Sequence, residues 1–305
     1  MHAFLEAQMG VKPALQPRAA IGPAVRAIAA DILDQARAAI NDPERSHQDA
    51  VHDFRRAMKQ WRALMRLLEP FIPDAVSLRQ QAREHARSLS RARDGQSALN
   101  AFDDLLKKGI ALSERSTATI RSRIEGIRAS EEQAVLTPEL RDVIIAWLDA
   151  TMTAIELWPL DPFDFSSIAN RLAAGYRSAR RAIPADWPQA SAEDLHELRQ
   201  RVVDHRYQME LVEPLWPRHG RMWTEEAERL RDRLGRCQDL EVLKRLTGPH
   251  QPLAHWRSRL TPACAERTTE LSHRAARIAL RLFAEKPKAF RHRLEALWEQ
   301  GRNGG

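Results

Sequence analysis

The sequence predicts an all-α fold made of two related halves. Three observations carry that prediction: a helix-favouring composition, apolar spacing near the helical period, and one long segment that occurs twice. Of the 305 residues, 43% are hydrophobic and 29% charged, a composition of folded rather than disordered chains. Glycine is low, at 12 residues, while Ala, Leu, Arg and Glu are abundant. The β-branched and aromatic clusters that mark strands are scarce. This length suits one large domain or two modest ones.

The recurrence is specific. Val51–Pro73 reads VHDFRRAMKQWRALMRLLEPFIP and Leu195–Pro217 reads LHELRQRVVDHRYQMELVEPLWP. At an offset of 144, His52 meets His196, Arg55 meets Arg199, Arg62 meets Arg206 and Met65 meets Met209. Glu69-Pro70 and Pro73 likewise meet Glu213-Pro214 and Pro217, and Asp53 meets Glu197. One residue further out of step, Leu89–Leu99 (LSRARDGQSAL) corresponds to Leu234–Lys244 (LGRCQDLEVLK). The period is far too long for a solenoid, so the pattern reads as duplication of a helical half.

The elements follow in order. A helix is predicted near 23–40, then a loop over 41–46 broken by Pro43. A long helix over 48–69 ends where Pro70 and Pro73 remove backbone donors. Further helices are predicted at 75–106, 110–132, 138–157 and 165–182, with a turn from Trp158-Pro159 to Pro162. The Pro-bearing stretch Ile183–Ala190 links to helices at 191–213, 222–246, 251–283 and 287–300. On this reading 1–22 is a flexible N-terminus, 23–182 the first half, 183–300 the second, and 301–305 a frayed tail.

The formal net charge is +7 from 48 Lys and Arg against 41 Asp and Glu, and Arg far outnumbers Lys. Guanidinium forks match phosphate geometry and stay charged when partly buried. Placement sharpens the point. On the 48–69 helix His52, Arg55, Arg56, Lys59, Arg62 and Arg66 share one broad stripe. Phe54, Ala57, Met58, Trp61, Leu64, Met65 and Leu68 form the opposite, core face. Between positions 54 and 68 this helix has no acid, although like charges one turn apart weaken a helix. One-signed clustering is the footprint of an anionic ligand. The second copy is thinner: His196, Arg199 and Arg206 remain, but Gln200 and Val203 stand where the first has Arg56 and Lys59. Further arginines recur at helical spacing in Arg79, Arg83, Arg87 and Arg91, and in Arg177, Arg180 and Arg181. An imidazole beside Arg adds charge only when protonated, so anion binding is expected to tighten as pH falls through about 6.5.

Other chemistries find less support. Two cysteines, Cys237 and Cys264, make neither a disulfide framework nor a metal spacing, and suggest a reducing compartment. The first residues lack a charged and then apolar leader, and no apolar run reaches membrane-spanning length, so a cytoplasmic protein is expected. The ExxH pairs Glu44/His47, Glu193/His196 and Glu270/His273 could serve a di-metal site in a bundle. However, the first lies in the Pro-broken loop and the second has Arg199 one turn away, so no metal and no cofactor is expected. No GxSxG, Walker loop or HExxH is present, and the expectation is a non-catalytic protein. Nucleic-acid binding is the main rival, because phosphates dominate that binding too; a helical scaffold is the third reading.

Several of these segments resemble the CHAD domain, the conserved-histidine α-helical domain. The repeated H-x-x-R helices carry the likeness, with ARDGQ (Ala92–Gln96), LGRCQDLEVL (Leu234–Leu243), GYRSARRA (Gly175–Ala182) and LFAEKPKAF (Leu282–Phe290). Together they span about 51–290. The resemblance implies a pseudo-twofold pair of four-helix bundles around a basic central channel, no catalysis, and binding of inorganic polyphosphate or a similar linear polyanion. Association with polyphosphate granules is implied too. It would place His52, Arg55, Arg56, Lys59 and Arg62 in the channel from the first half, and His196, Arg199 and Arg206 from the second. Arg66, Arg83, Arg87, Arg91, Arg177, Arg180, Arg181 and Lys286 extend the candidate set. Gln200 and Val203 depart from the family's usual Lys. No ExExK strand for an adjoining triphosphate-tunnel domain is present in this sequence, so the resemblance is to the stand-alone version.

Overall fold

The computed structural model describes residues 13–42, 44–89, 94–132, 136–160 and 163–303. Among them are eleven α-helices and no strand. The first six are α1 (Ile21–Asn41), α2 (His47–Leu68), α3 (Ala75–Ser88), α4 (Asp94–Lys107), α5 (Glu114–Glu132) and α6 (Pro138–Glu156). The remaining five are α7 (Phe165–Arg181), α8 (Ala192–Glu210), α9 (Pro217–Arg245), α10 (Arg257–Leu282) and α11 (Pro287–Asn303). No helix among the described residues is long and apolar enough to cross a membrane.

Local chemistry starts these helices. Ser46 accepts the Asp49 amide at 3.1 Å ahead of α2, and Asp164 accepts that of Ser167 at 2.8 Å ahead of α7. Ser191 and Asp194 form a reciprocal capping box before α8. Pro217 sits in the first turn of α9, where its missing N–H costs nothing.

Three expectations about element bounds change. The helix expected over 75–106 is two helices, α3 and α4. The helix expected to begin at 222 begins at Pro217, and that expected at 251 starts as a short 3-10 turn, Ala254–Trp256, before α10. The segment expected to be flexible is anchored from residue 13 onward. Leu15 is 1% exposed and its amide donates to the Leu211 carbonyl at 2.8 Å. Likewise α11 continues to Asn303, with Gly301 so close to Pro17 that a Cβ there would lie 2.5 Å from its ring.

The helices pack as three groups of four. Helices α1, α2, α3 and α6 form the first: α1 meets α2 and α6, α2 meets α3, and the Trp147 indole of α6 donates to Gln81 of α3 at 2.8 Å. Helices α7, α8, α9 and α11 form the second: α7 meets α8 and α11, α8 meets α9, and Arg293 of α11 lies over the Trp223 ring of α9. The C-terminal part of α9 joins α4, α5 and α10 in the third. Here Arg267, only 6% exposed, is held by both carboxylate oxygens of Asp104, at 2.7 and 3.0 Å, and by Glu270. The first two groups meet where α2 packs on α8 and α7. Gln208 of α8 donates to the Ala63 carbonyl of α2 at 3.1 Å, and Gly175 of α7 lets that side chain close in, since a Cβ would stand 2.5 Å from its amide oxygen.

His205 sits in the core of the second group, among Tyr176, Trp223, Phe283 and Phe290. Its Nε2 accepts the Trp223 indole N–H at 2.9 Å. Burial, aided by the charge of Arg293, pushes its imidazole down to about 3. The unfolded chain protonates this histidine below about 6.5, whereas the folded chain resists until about 3. Its contribution is therefore complete above the unfolded value and is lost as pH falls through that window. At about 1.4 kcal/mol per pH unit, the loss is on the order of 5 kcal/mol. His205→Gln keeps an acceptor for Trp223 and removes the titration. Melting curves between pH 7 and pH 4 should show a shallower acid decline for this variant, and an identical decline would rule His205 out as the cause.

Candidate functional site

Helix α2 carries the densest basic stripe because its other side is committed to the core. Phe54, Met58, Trp61 and Met65 are fully buried, leaving the His52-to-Arg66 side toward solvent and toward neighbouring helices. His52 and Arg56 are exposed, and Arg56 pairs with Asp53 at 3.3 Å. Arg55 and Lys59 are half-buried and engaged with other groups. Arg62 and Arg66 are half-buried near the α2–α8 contact.

Around these last two the charge is most concentrated. Arg66 Nε lies 2.9 Å from Asp204 of α8, whose side chain is 13% exposed. Burial pushes the Arg62 guanidinium below its ordinary range; Asp204 opposes this, and Arg83, Arg66 and Arg79 reinforce it. Burial does the same to Arg66, again with Asp204 opposing and with Arg79 and Arg201 reinforcing. Burial in turn raises the Asp204 carboxyl, against the pull of Arg66, Arg62, Arg201 and Arg79. Four arginines from α2, α3 and α8, Arg62, Arg66, Arg79 and Arg201, thus act on Asp204, while Arg83 acts on Arg62 and Glu69 also acts on Arg66. Glu69 pairs with Arg79 at 2.7 Å and Glu197 with Arg201 at 3.4 Å.

The remaining candidates are distributed over other surfaces. Arg87 is exposed near the end of α3. Arg177 and Arg181, on α7, line an open groove with Ser178 and with Glu197 of α8. Arg180 donates to the Glu285 carbonyl at 3.0 Å, beside exposed Lys286. His196 is half-buried with its Nε2 2.5 Å from the Gln200 amide nitrogen, and Arg199 lies alongside Gly235 of α9. Arg206 faces away from the α2 cluster into an acidic one: it pairs with Glu228 at 2.7 Å and Glu210 at 3.2 Å and lies over the Tyr207 ring. Arg91 lies outside the described residues.

Of the ExxH acids, Glu270 is held by Arg267, Lys108 and Arg274, and burial raises Cys237 to about 11 and Cys264 to about 12. Among the described residues no group of His, Cys, Asp and Glu is arranged to hold a metal ion. The residues that sequence reasoning passed over at the cluster are Arg201 and Asp204. The one available signal was a break in the repeat, since Asp204 stands where the first copy has Gln60.

Comparison with known proteins agrees with this helical architecture. The crystal structure of the CHAD domain from the plant Ricinus communis matches with a TM-score of 0.54 at 20% identity, over 94% of this chain and 95% of that one. That likeness establishes the fold. No curated protein matches the chain. The sequence model described as "CHAD domain" matches residues 24–248, from α1 through α9 and well over half of the chain. This protein belongs to the CHAD domain family.

Proposed function

We propose that this protein binds a linear polyphosphate and performs no chemistry on it. The observation that carries this reading is the crowding of half-buried Arg62, Arg66, Arg79 and Arg201 about Asp204, which lies 2.9 Å from Arg66 Nε, with exposed Arg83 acting on Arg62. Like charges held together at partial burial weaken the fold, so such a cluster is worth keeping only for an anion of high charge density. Forked guanidiniums on three helices suit phosphate oxygens better than a single compact carboxylate ligand. Family membership points the same way. Association with polyphosphate granules would follow from such binding.

Single-stranded nucleic acid would want exposed rings beside the arginines. Trp61 and Phe283 are buried, and the Trp147 indole is committed to Gln81. Trp216, 49% exposed, stacks on His219 at the start of α9 instead. Long-chain polyphosphate and single-stranded DNA, compared at equal phosphate and physiological salt, should therefore compete unequally, with polyphosphate displacing the DNA. Equal competition would overturn the preference.

We further propose that the fold is a duplication about a pseudo-twofold axis passing between α2 and α8. At the offset of 144, α1 corresponds to α7, α2 to α8, α3 with α4 to α9, α5 to α10 and α6 to α11, each starting within five residues of register. This divides the chain at 21–156 and 165–303 in place of 23–182 and 183–300. Cross-contacts support it. Arg66–Asp204 has as its mate Gln60 with Glu210, and Gln208–Ala63 has as its mate Leu64 with Tyr207. All four mate residues line one small cavity. A basic channel between the halves belongs to the same proposal.

A further inference from the structure

Asp204 is an unusual neighbour for a phosphate-binding surface. It is nearly buried and lies 2.9 Å from Arg66 Nε. Arg62 precedes Arg66 by one turn on α2, Arg79 precedes Arg83 by one turn on α3, and Arg201 precedes Asp204 by one turn on α8. Glu69, paired with Arg79, also acts on Arg66, and Glu197 is paired with Arg201; of the carboxylates acting on these two guanidiniums, Asp204 is the one that acts on both Arg62 and Arg66. Its backbone cannot drift away from α2. One turn further along α8, Gln208 is bonded to the Ala63 carbonyl, and Arg171 of α7 donates to the Arg66 carbonyl at 3.2 Å.

We propose that Asp204 is an internal counter-ion which competes with polymer phosphate for Arg66 and Arg62, and so sets how tightly the cluster holds phosphate. The inference rests on the polyphosphate reading above. A fixed carboxylate between the guanidiniums lets the empty cluster fold with less self-repulsion. It also subtracts from the potential that any incoming phosphate meets, and it repels that phosphate once bound. The residue thus trades affinity for stability of the unliganded protein. A carboxylate that merely anchors α8 to α2 would have the opposite effect on binding when lost.

The test is calorimetry with tripolyphosphate and with long-chain polyphosphate on the wild type, Asp204→Asn, Arg66→Gln and the double variant. Asp204→Asn should bind both probes about tenfold more tightly, and its log K against log salt should steepen by about 0.7, one additional phosphate neutralised. Arg66→Gln should weaken binding, and adding Asp204→Asn to it should restore much of the loss. If Asp204→Asn does not fold, the comparison of Arg66→Gln with the double variant still decides. Unchanged or weaker binding by Asp204→Asn, or no restoration in the double variant, while the wild type binds polymer, overturns this inference alone. A wild type that binds neither probe overturns the polyphosphate reading, and this inference with it.

Discussion

Replacing Arg55, Lys59 and Arg62 together with alanine is expected to abolish polyphosphate binding while moving the melting temperature by no more than about 4 °C. That is the shift about 1 kcal/mol produces in chains of roughly this size. The binding loss follows from removing three adjacent cations on one face of α2. The small effect on folding follows from the setting of Arg62. Burial and three neighbouring guanidiniums disfavour its charge, while Asp204 favours it. Circular dichroism melts beside a binding titration check both halves of the expectation. A large fall in melting temperature would show that Arg55 and Lys59, which are engaged with other groups, are mainly structural ion partners. The second copy behaves differently. Removing Arg206 takes one cation from each of Glu210 and Glu228, leaving Arg231 on Glu228, so Arg206→Ala should cost stability and little binding.

Binding should also depend steeply on salt and on chain length. If six to ten phosphates are contacted, log K falls by about 4 to 7 for each tenfold rise in salt. The arginines are spread over two surfaces, α2, α3 and Arg201 of α8 around Asp204, and α7 beside the groove with Glu197, which Arg201 also pairs with. A long polymer is expected to engage both, and the second contact then gains from effective concentration, with fewer phosphates of tri- and tetraphosphate left to share between them. Short phosphates should therefore bind far more weakly, even per phosphate. Calorimetry on graded chain lengths at two salt concentrations tests this. Equal affinity for triphosphate and long polymer would mean one compact pocket and would favour a nucleotide-binding or enzymatic reading.

Helices and the basic stripe were legible because both are local. The alternation of Phe54, Met58, Trp61 and Met65 with Arg55, Lys59 and Arg62 needs only the helical period to separate core from surface. Caps at Ser46 and Ser191 likewise act within one turn. The break between α3 and α4 was not legible. Leu89–Leu99 and Leu234–Lys244 are similar sequences, yet α4 begins anew at Asp94 while α9 runs unbroken through the second. Weak local preferences do not separate these outcomes; the packing of neighbours does. At Gly95 that packing is close, since a Cβ would stand 2.6 Å from the Arg128 backbone of α5.

The sequence by itself determined the all-helical class, the family, and which face of α2 carries positive charge, because periodicity and composition act over a few residues. Only the tertiary structure decided which of those charges act together. Asp204 meets Arg66 from a helix far along the chain, Arg79 and Arg83 arrive on α3, and Arg206 is drawn off by Glu210 and Glu228. Electrostatic partnership depends on separation in space and on burial, and neither is written in the spacing of residues along one helix.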